Sequence, residues 1–213
     1  MMLRSAGLAF LWTTLLSPAG VVAAGGGRDG RKAPAWSFDV ATIAYFFPEE
    51  ADYLQPKMTA NRGSLHLESR YAYEDRNTFS LFAGRSATMG QAPRLEVTPM
   101  AGVVAGRTDG IAPGLELTLS WGPVELYSES EYMLAFGGAG SSFFYAWSEL
   151  GVRPTGWLRV GLVAQRTRRF HAAREVSFGP MLGVAIGRLE ATFYLLDGGS
   201  ARPFAAVSVG LSL

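Results

Sequence analysis

The chain contains no cysteine and carries little charge. Asp, Glu, Lys and Arg together make up 17% of the 213 residues, against about 25% in typical globular domains. The absence of cysteine excludes a disulfide scaffold, a thiolate metal site and a lipoprotein anchored through cysteine. The 19 basic residues are balanced by 18 acidic ones. Nucleic acid is therefore not an expected partner, because proteins that bind it carry a basic surplus.

Long apolar runs are also missing, and the most apolar segment lies at the start of the chain. Arg4 precedes a short apolar core at 8–16, and small residues end this segment at Ala24. This order predicts a secretory signal peptide over 1–24 that is cleaved after Ala24. Its core is shorter than the ~20 residues of a spanning helix. Residues 25–35 are rich in glycine and charge and predict a flexible lead-in, which leaves 36–213 as the folded domain.

From Trp36 onward the dominant pattern is a period of two, and the period of 3.6 that a helix requires is missing. In 64–73, one face carries Leu65, Leu67, Tyr71 and Tyr73, and the other carries Ser64, His66, Glu68 and Arg70. Similar alternation runs through 115–120, 124–134, 158–165 and 176–186. The pattern predicts an all-β protein.

Two architectures fit this alternation. A soluble periplasmic β-barrel or sandwich that binds an apolar ligand would point Leu65, Leu67, Leu126 and Leu134 inward, whereas an outer-membrane barrel points them into lipid. Most predicted strands are 9–14 residues long, near the 9–11 that a tilted spanning strand needs. Aromatic residues such as Trp121 and Trp157 lie near strand ends, and an alternating strand closes the chain. We therefore predict an antiparallel up-and-down transmembrane β-barrel.

The strand count predicts ten or twelve strands. Eleven segments alternate: 36–46, 61–74, 78–88, 94–106, 114–120, 124–136, 143–152, 157–166, 175–186, 189–196 and 204–213. Bacterial single-chain barrels have an even number of strands, so one assignment is wrong. We expect the error in 88–113, where Pro93, Pro99 and Pro113 interrupt the pattern. We also expect 47–60 to be an external loop and the tight turn 75–77 to lie on the periplasmic side.

Four strings resemble an uncharacterised family of small bacterial outer-membrane β-barrel proteins. They are TDGIAPG at 108–114, LYSESEY at 126–132, FFYAWSEL at 143–150 and LVAQRTR at 162–168. The resemblance runs over most of the predicted mature chain. It implies a barrel in the bacterial outer membrane and implies no activity. The chain ends in Leu213, where outer-membrane barrels usually end in an aromatic residue.

Charged side chains are expected to meet inside the barrel. One strand directs three acids to a single face, neighbouring strands add two more, and two arginines supply cations; the set is Arg70, Glu116, Glu125, Glu129, Glu131, Glu149 and Arg159. These groups could pair and plug the interior, because an unpaired buried charge is costly. Alternatively they could form a cation-selective constriction, or a proton- or metal-binding cage of oxygen ligands.

A second polar set could carry chemistry. Ser64, His66 and Glu68 share a face and offer a nucleophile, a base and an orienting acid, so they are weak candidates for an outer-membrane lipid or lipopolysaccharide hydrolase. Three polar residues on a polar face are expected of any polar lumen, and this is the favoured interpretation. With two histidines and no cysteine, a transition-metal site is not expected, and no cofactor is predicted.

Basic residues cluster around one predicted external loop. Arg166, Arg168, Arg169 and Arg174 could contact lipopolysaccharide phosphates, since guanidinium groups match phosphate oxygens, or they could belong to an ordinary solvated loop. The sequence thus predicts a non-enzymatic barrel, either structural or a narrow porin-like channel. Its expected partners are outer-membrane lipid, lipopolysaccharide and the barrel-assembly machinery, and its oligomeric state is left open.

Overall fold

The computed structural model describes residues 34–137, 142–169, 175–200 and 202–213. The predicted signal peptide and most of the lead-in lie outside these residues. Within them the structure is entirely β, with thirteen strands: β1 (Ser37–Phe46), β2 (Tyr53–Arg62), β3 (Leu65–Tyr71), β4 (Thr78–Arg85), β5 (Ala87–Met89), β6 (Arg94–Gly106), β7 (Gly110–Trp121), β8 (Val124–Ala135), β9 (Phe143–Thr155), β10 (Leu158–Arg169), β11 (Glu175–Ile186), β12 (Leu189–Leu196) and β13 (Phe204–Ser212).

The strands form one closed antiparallel barrel. Strands that are neighbours in sequence pair with each other, except β4 and β5; β1 pairs with β13, and β4 closes the circle by pairing with β6. β4 and the short β5 pair with successive stretches of β6, so together they occupy one position. The barrel therefore has twelve strands, which confirms the predicted fold class. Closure leaves no unpaired strand edge, as a structure in lipid requires.

The predicted location of the missing strand is wrong. The region 88–113 holds β6 and the start of β7, and the overlooked strand is β2, inside the supposed loop 47–60. The predicted strand 61–74 likewise divides into the end of β2, a two-residue turn and β3. β2 was overlooked because Pro56 argues against a central strand. The proline is tolerated because the β2–β3 pairing begins only at the next residue, Lys57, opposite Arg70.

The two ends of the barrel differ in their connections. At one end, called here the turn end, four strand pairs are joined by two residues each, at 63–64, 122–123, 156–157 and 187–188. Gly63 and Gly187 supply the positive φ angles, +60° and +62°, that such turns need. Longer connections lie at the opposite end, the loop end. The turn 75–77 was predicted on the short-turn side, but it lies at the loop end, where Arg76 donates a hydrogen bond of 2.9 Å to the carbonyl of Ala51.

The two faces of the strands follow the predicted alternation. Every strand exposes at least one large apolar side chain on the outer surface, among them Leu54, Val103, Leu162, Phe178 and Ile186. Leu65 and Leu134 are also exposed, at 38% and 39%, so the soluble alternative, which needs them inside, does not describe this barrel.

One predicted outward residue faces the interior instead. Strand β3 ends at Tyr71, and Ala72 adopts a φ of +57°, which breaks the alternation. Tyr73 therefore turns inward, and the Arg70 guanidinium lies 4.7 Å from its ring centroid.

The interior is packed towards the loop end and polar towards the turn end. One apolar cluster contains Tyr45, Tyr145, Trp147, Val163, Met181, Tyr194, Leu196 and Ala206, and a second contains Phe82, Met100, Val104, Ala112 and Met133. No helix in the described ranges is long and apolar enough to cross a membrane.

Candidate functional site: the charged lumen

The centre of the lumen is organised around Arg70. Arg70 is 1% exposed. Nη2 lies 2.8 Å from Glu129 Oε1, Nη1 donates to Glu131 Oε2 at 2.9 Å, and Nε contacts Glu68 Oε1. Phe82 packs against the same guanidinium, 4.3 Å from ring centroid to Cζ. Three carboxylates on β3 and β8 thus share one buried cation.

Lys57 connects this group to a fourth acid. Its Nζ lies 3.2 Å from Glu116 Oε1, 3.2 Å from Glu129 Oε2 and 3.3 Å from Glu68 Oε2. The Tyr127 hydroxyl donates to Glu129 at 2.9 Å. We call the six charged residues Lys57, Glu68, Arg70, Glu116, Glu129 and Glu131 the Arg70 cluster. It holds four carboxylates and two permanent cations.

A second, smaller group surrounds Arg159. Its Nη1 lies 2.5 Å from Glu149 Oε2, and Nη2 lies 3.3 Å from Glu125 Oε1. Glu149 Oε1 also accepts hydrogen bonds from Trp147 Nε1 at 2.8 Å and from the Tyr194 hydroxyl at 2.7 Å. Arg159, Glu125 and Glu149 form the Arg159 cluster, in which every charged group is paired or hydrogen-bonded.

Inward-facing glycines leave space for the Arg159 side chain. A Cβ atom at Gly151 would lie 2.7 Å from Arg159 Nε, and one at Gly183 would lie 3.3 Å from Arg159 Cβ. At Gly151 the space is occupied by the guanidinium, and at Gly183 by Thr192 Oγ1 and the start of the Arg159 side chain. The small residues on β9 and β11 are therefore part of the site.

A cavity of about 230 Å³ fills the turn-end half of the lumen. Its lining includes residues of both clusters together with Glu190, which pairs with Arg153 at 3.3 Å. Among the described lining residues, six are acidic (Asp39, Glu96, Glu116, Glu125, Glu149 and Glu190) and three are basic (Lys57, Arg153 and Arg159). The cavity wall therefore has a surplus of negative charge.

The connection between β3 and β4 folds over the lumen at the loop end. Glu74 is 7% exposed, and burial raises the pKa of its carboxyl, an effect that the nearby Arg70 guanidinium partly offsets. Burial also raises the pKa of Tyr73 well above its usual range. Both side chains face the Arg70 cluster from the apolar side.

The structure places all seven residues of the predicted lumen cluster on the interior surface. It joins Arg70 to Glu129 and Glu131, and Arg159 to Glu125 and Glu149. Glu116 lies beside Lys57 rather than beside either arginine. The predicted set therefore divides into two groups.

The proposed catalytic set does not assemble. Ser64 belongs to the exposed turn between β2 and β3, and within the described part of the chain it makes no hydrogen bond to His66. The imidazole instead has its Nδ1 2.9 Å from Asn61 Oδ1 and its Nε2 3.6 Å from Glu68 Oε2. Ser64 does not face the lumen, because β3 begins only at Leu65. The inner face of β3, which carries His66 and Glu68, therefore does not include Ser64.

The predicted lipopolysaccharide contacts are only partly within the described residues. Arg166 lies on β10 with its guanidinium 5.3 Å from the Phe144 ring centroid. Arg174 and the side chains of Arg168 and Arg169 lie outside what the structure describes.

Sequence reasoning missed Lys57, Tyr127 and the Arg153–Glu190 pair as parts of the site. The signal for Lys57 was present, since Gln55, Lys57 and Thr59 alternate with Leu54, Pro56 and Met58. Pro56 concealed this pattern. Tyr127 and Glu190 lie on predicted strands, and Arg153 lies one residue past the predicted strand 143–152, but nothing in the sequence indicates which partner each one meets.

These features define a class: a closed twelve-stranded antiparallel barrel with an apolar outer surface and a charged interior. Two of the solved structures that share this fold are of KdgM porin. A KdgM porin matches with a TM-score of 0.58 and 7% identity, over 82% of this chain and 99% of the porin. A KdgM porin in complex with disordered oligogalacturonate matches with a TM-score of 0.57 and 9% identity, over 83% and 99%. No protein-family model and no curated protein matches the sequence.

Proposed function

We propose that this chain is a non-enzymatic, porin-like barrel of the bacterial outer membrane whose interior favours small cations over anions. The observation that carries the proposal is the contrast between the two surfaces of one closed sheet. The outside is apolar on every strand, and the inside holds the Arg70 and Arg159 clusters. Only a barrel surrounded by lipid is stabilised by that arrangement.

The membrane assignment follows from the apolar surface. A soluble monomer rarely exposes a contiguous apolar patch of more than a few hundred Å², whereas here apolar side chains cover the outer surface of all thirteen strands. By the usual rule for such barrels, the loop end faces the exterior and the turn end the periplasm. Export then requires the predicted signal peptide, and insertion requires the barrel-assembly machinery. Lipid and lipopolysaccharide are the surrounding partners.

The charge preference follows from the cavity wall. Six acids against three bases in its described lining give a negative potential in a narrow space bounded by a low-dielectric wall, which raises the local concentration of cations. The apolar clusters at the loop end narrow the passage, so we expect small conductance steps rather than those of a wide porin.

The ligand of the KdgM structure is not transferred to this chain. Oligogalacturonate is a chain of acidic sugars and carries many carboxylates. An interior with surplus carboxylates repels such a polymer, so the cavity wall, and not the shared fold, indicates the charge of the permeant ion.

The test is ion selectivity in planar bilayers. Purified barrel is reconstituted under a KCl gradient, and the reversal potential is measured for the parent and for a variant with Glu96→Gln and Glu116→Gln, which neutralises two acids of the cavity wall. We expect small steps with cation preference in the parent and a shift towards anions in the variant.

The control is Arg85→Ala, an exposed residue outside the lumen, which should leave the reversal potential unchanged. Anion preference in the parent would contradict the proposed selectivity. If neither the parent nor any variant, including one with Glu129 and Glu131 neutralised, gives conductance steps, the channel function is rejected. The protein would then be a structural barrel.

A further inference from the structure

We propose that His66, Glu68 and Glu116 form a binding site for a divalent transition-metal cation of the Zn²⁺ type in the wall of the lumen. One atom from each residue, namely the imidazole nitrogen and one oxygen of each carboxylate, lies within 4.8 Å of the others. We call these three residues the His66 triad. The inference concerns equilibrium binding and does not depend on whether the barrel conducts ions.

The barrel geometry brings the triad together. His66 and Glu68 are two residues apart on β3 and therefore share the inner face. Glu116 lies on β7 and reaches the same point from around the barrel wall. His66 Nε2 is 3.6 Å from Glu68 Oε2 and 3.9 Å from Glu116 Oε2. Atoms that each lie about 2.1 Å from a tetrahedral zinc are about 3.4 Å apart, so the two distances from His66 Nε2 exceed that value by about 0.5 Å or less.

The histidine is already oriented as a ligand. His66 is 4% exposed, and its Nε2 has no hydrogen-bond partner among the described residues. Its Nδ1 lies 2.9 Å from Asn61 Oδ1. If Nδ1 donates its proton to that amide oxygen, the lone pair of Nε2 points towards the two carboxylates. Metal-binding histidines usually have such a partner on the second nitrogen, which fixes the ring and the tautomer.

The charge of the surroundings also fits a divalent cation. The Arg70 cluster has four carboxylates and only two permanent cations, Lys57 and Arg70. Buried surplus charge is costly, so it must be balanced by protons or by a bound cation. Two positive charges are missing, and a divalent ion supplies both. A bound metal would also use the imidazole Nε2 of His66, which has no hydrogen-bond partner among the described residues. Protons on the carboxylates would leave that nitrogen without a partner, so the site favours a metal.

Lys57 does not block the site. Its ammonium contacts Glu116 through Oε1, while Oε2 of the same carboxylate faces His66. It retains Glu129 at 3.2 Å when Glu68 Oε2 is shared with a metal. His66 and Glu116 also line the cavity, which gives an ion a route of entry from the turn end and leaves a position for water in its coordination sphere.

The experiment measures metal binding to the intact barrel. The full chain is expressed without a polyhistidine tag, extracted from membranes, treated with a chelator and titrated with Zn²⁺ by calorimetry. Co²⁺ is used as a spectroscopic probe, because its visible absorption reports nitrogen and oxygen ligation. We expect one Zn²⁺ per chain, with affinity at least about tenfold weaker in His66→Ala and in Glu116→Gln.

The matched control is Glu190→Gln, which removes a carboxylate from the same cavity wall but not from the triad. It should change the affinity by less than about twofold. The gel-mobility difference between boiled and unboiled protein shows that each variant is folded. Glu116→Gln keeps the proposal testable if His66→Ala does not fold.

Three results would overturn the proposal: no Zn²⁺ binding to the parent, unchanged affinity in both triad variants, or equal loss in the control. An equal loss of affinity in the control would mean that Zn²⁺ is attracted to the acidic cavity in general and not to the His66 triad. A barrel that binds one Zn²⁺ through the triad but does not conduct would retain this site while the proposed channel function fails.

Discussion

Arg70 is the most completely buried cation described in the lumen. Three carboxylates contact its guanidinium, and the rings of Phe82 and Tyr73 cover it at 4.3 and 4.7 Å. A guanidinium suits this position because it presents five donors in a plane and stays charged when buried.

Replacing Arg70 by alanine should therefore destabilise the barrel strongly. The change leaves Glu131 and its neighbours buried without their main cation, and the loss of one partner of a buried ion pair costs about 3–5 kcal/mol. Urea unfolding of the barrel in lipid vesicles, followed by tryptophan fluorescence, measures the effect. Arg85→Ala, an exposed substitution on the adjacent β4, should change stability by less than about 0.5 kcal/mol. Equal stability of the two variants would show that the Arg70 cluster is not assembled as described.

Glu74 should make the stability of the barrel depend on pH. Burial raises the pKa of its carboxyl in the folded protein. A raised folded-state pKa gives stability that is present below the unfolded pKa and is lost as pH rises through the folded pKa. Glu74→Gln should therefore match the parent in acid and become relatively more stable as pH increases. The unfolding midpoints of both proteins are compared from pH 4 to pH 8; a difference that is independent of pH would refute this assignment.

The residue types of the lumen could be predicted from the sequence, but their partners could not. Parity along a strand indicates that Glu125, Glu129 and Glu131 share the inner face. It does not indicate that Glu129 meets Arg70 while Glu125 meets Arg159, because contacts across a barrel depend on register and curvature. Tyr73 was placed on the wrong face because a single residue, Ala72, adopts a positive φ.

At the scale of the strand, β2 was overlooked, and the short β5 was merged with β4 in the predicted strand 78–88. The alternation of β2 was clear, but a proline in the middle of a run normally indicates an edge or a loop. β2 is central, with β1 on one side and β3 on the other. The other long strands were recognised, β6 and β11 despite Pro99 and Pro180 in their interiors, although several boundaries moved by a few residues.

An engineered disulfide tests β2 directly, because the chain has no cysteine of its own. Met58 pairs with Val40 on β1, and both face outward. Val40→Cys with Met58→Cys should form an intramolecular disulfide on mild oxidation, visible as a mobility change on a denaturing gel that reductant reverses.

The control pair is Val40→Cys with Thr59→Cys. Thr59 is adjacent to Met58 but lines the lumen, so its thiol points to the other side of the barrel wall and should stay reduced. Efficient oxidation of the control pair with none in the first pair would mean that β2 is shifted by one residue, which would also turn Lys57 away from the lumen.

At the scale of the whole molecule, the account depends on closure. Pairing of β1 with β13 and of β4 with β6 removes both edges of the sheet, which makes the apolar outer surface compatible with lipid. The same closure forces charged side chains from distant strands into a narrow interior, where they pair. The fold class was predictable from the alternation together with strand length, the aromatic residues near strand ends and the closing strand, while the division of the lumen into an apolar half and a polar half was not.

The most direct measurement is membrane fractionation combined with gel mobility. The full chain is expressed in a bacterial host, the outer membrane is isolated, and boiled and unboiled samples are run side by side. The account predicts the chain in the outer membrane and a mobility shift on boiling, because a closed barrel resists detergent until it is heated. A chain found in the soluble periplasmic fraction without a shift would contradict it, since the apolar surface described here would then have to be buried.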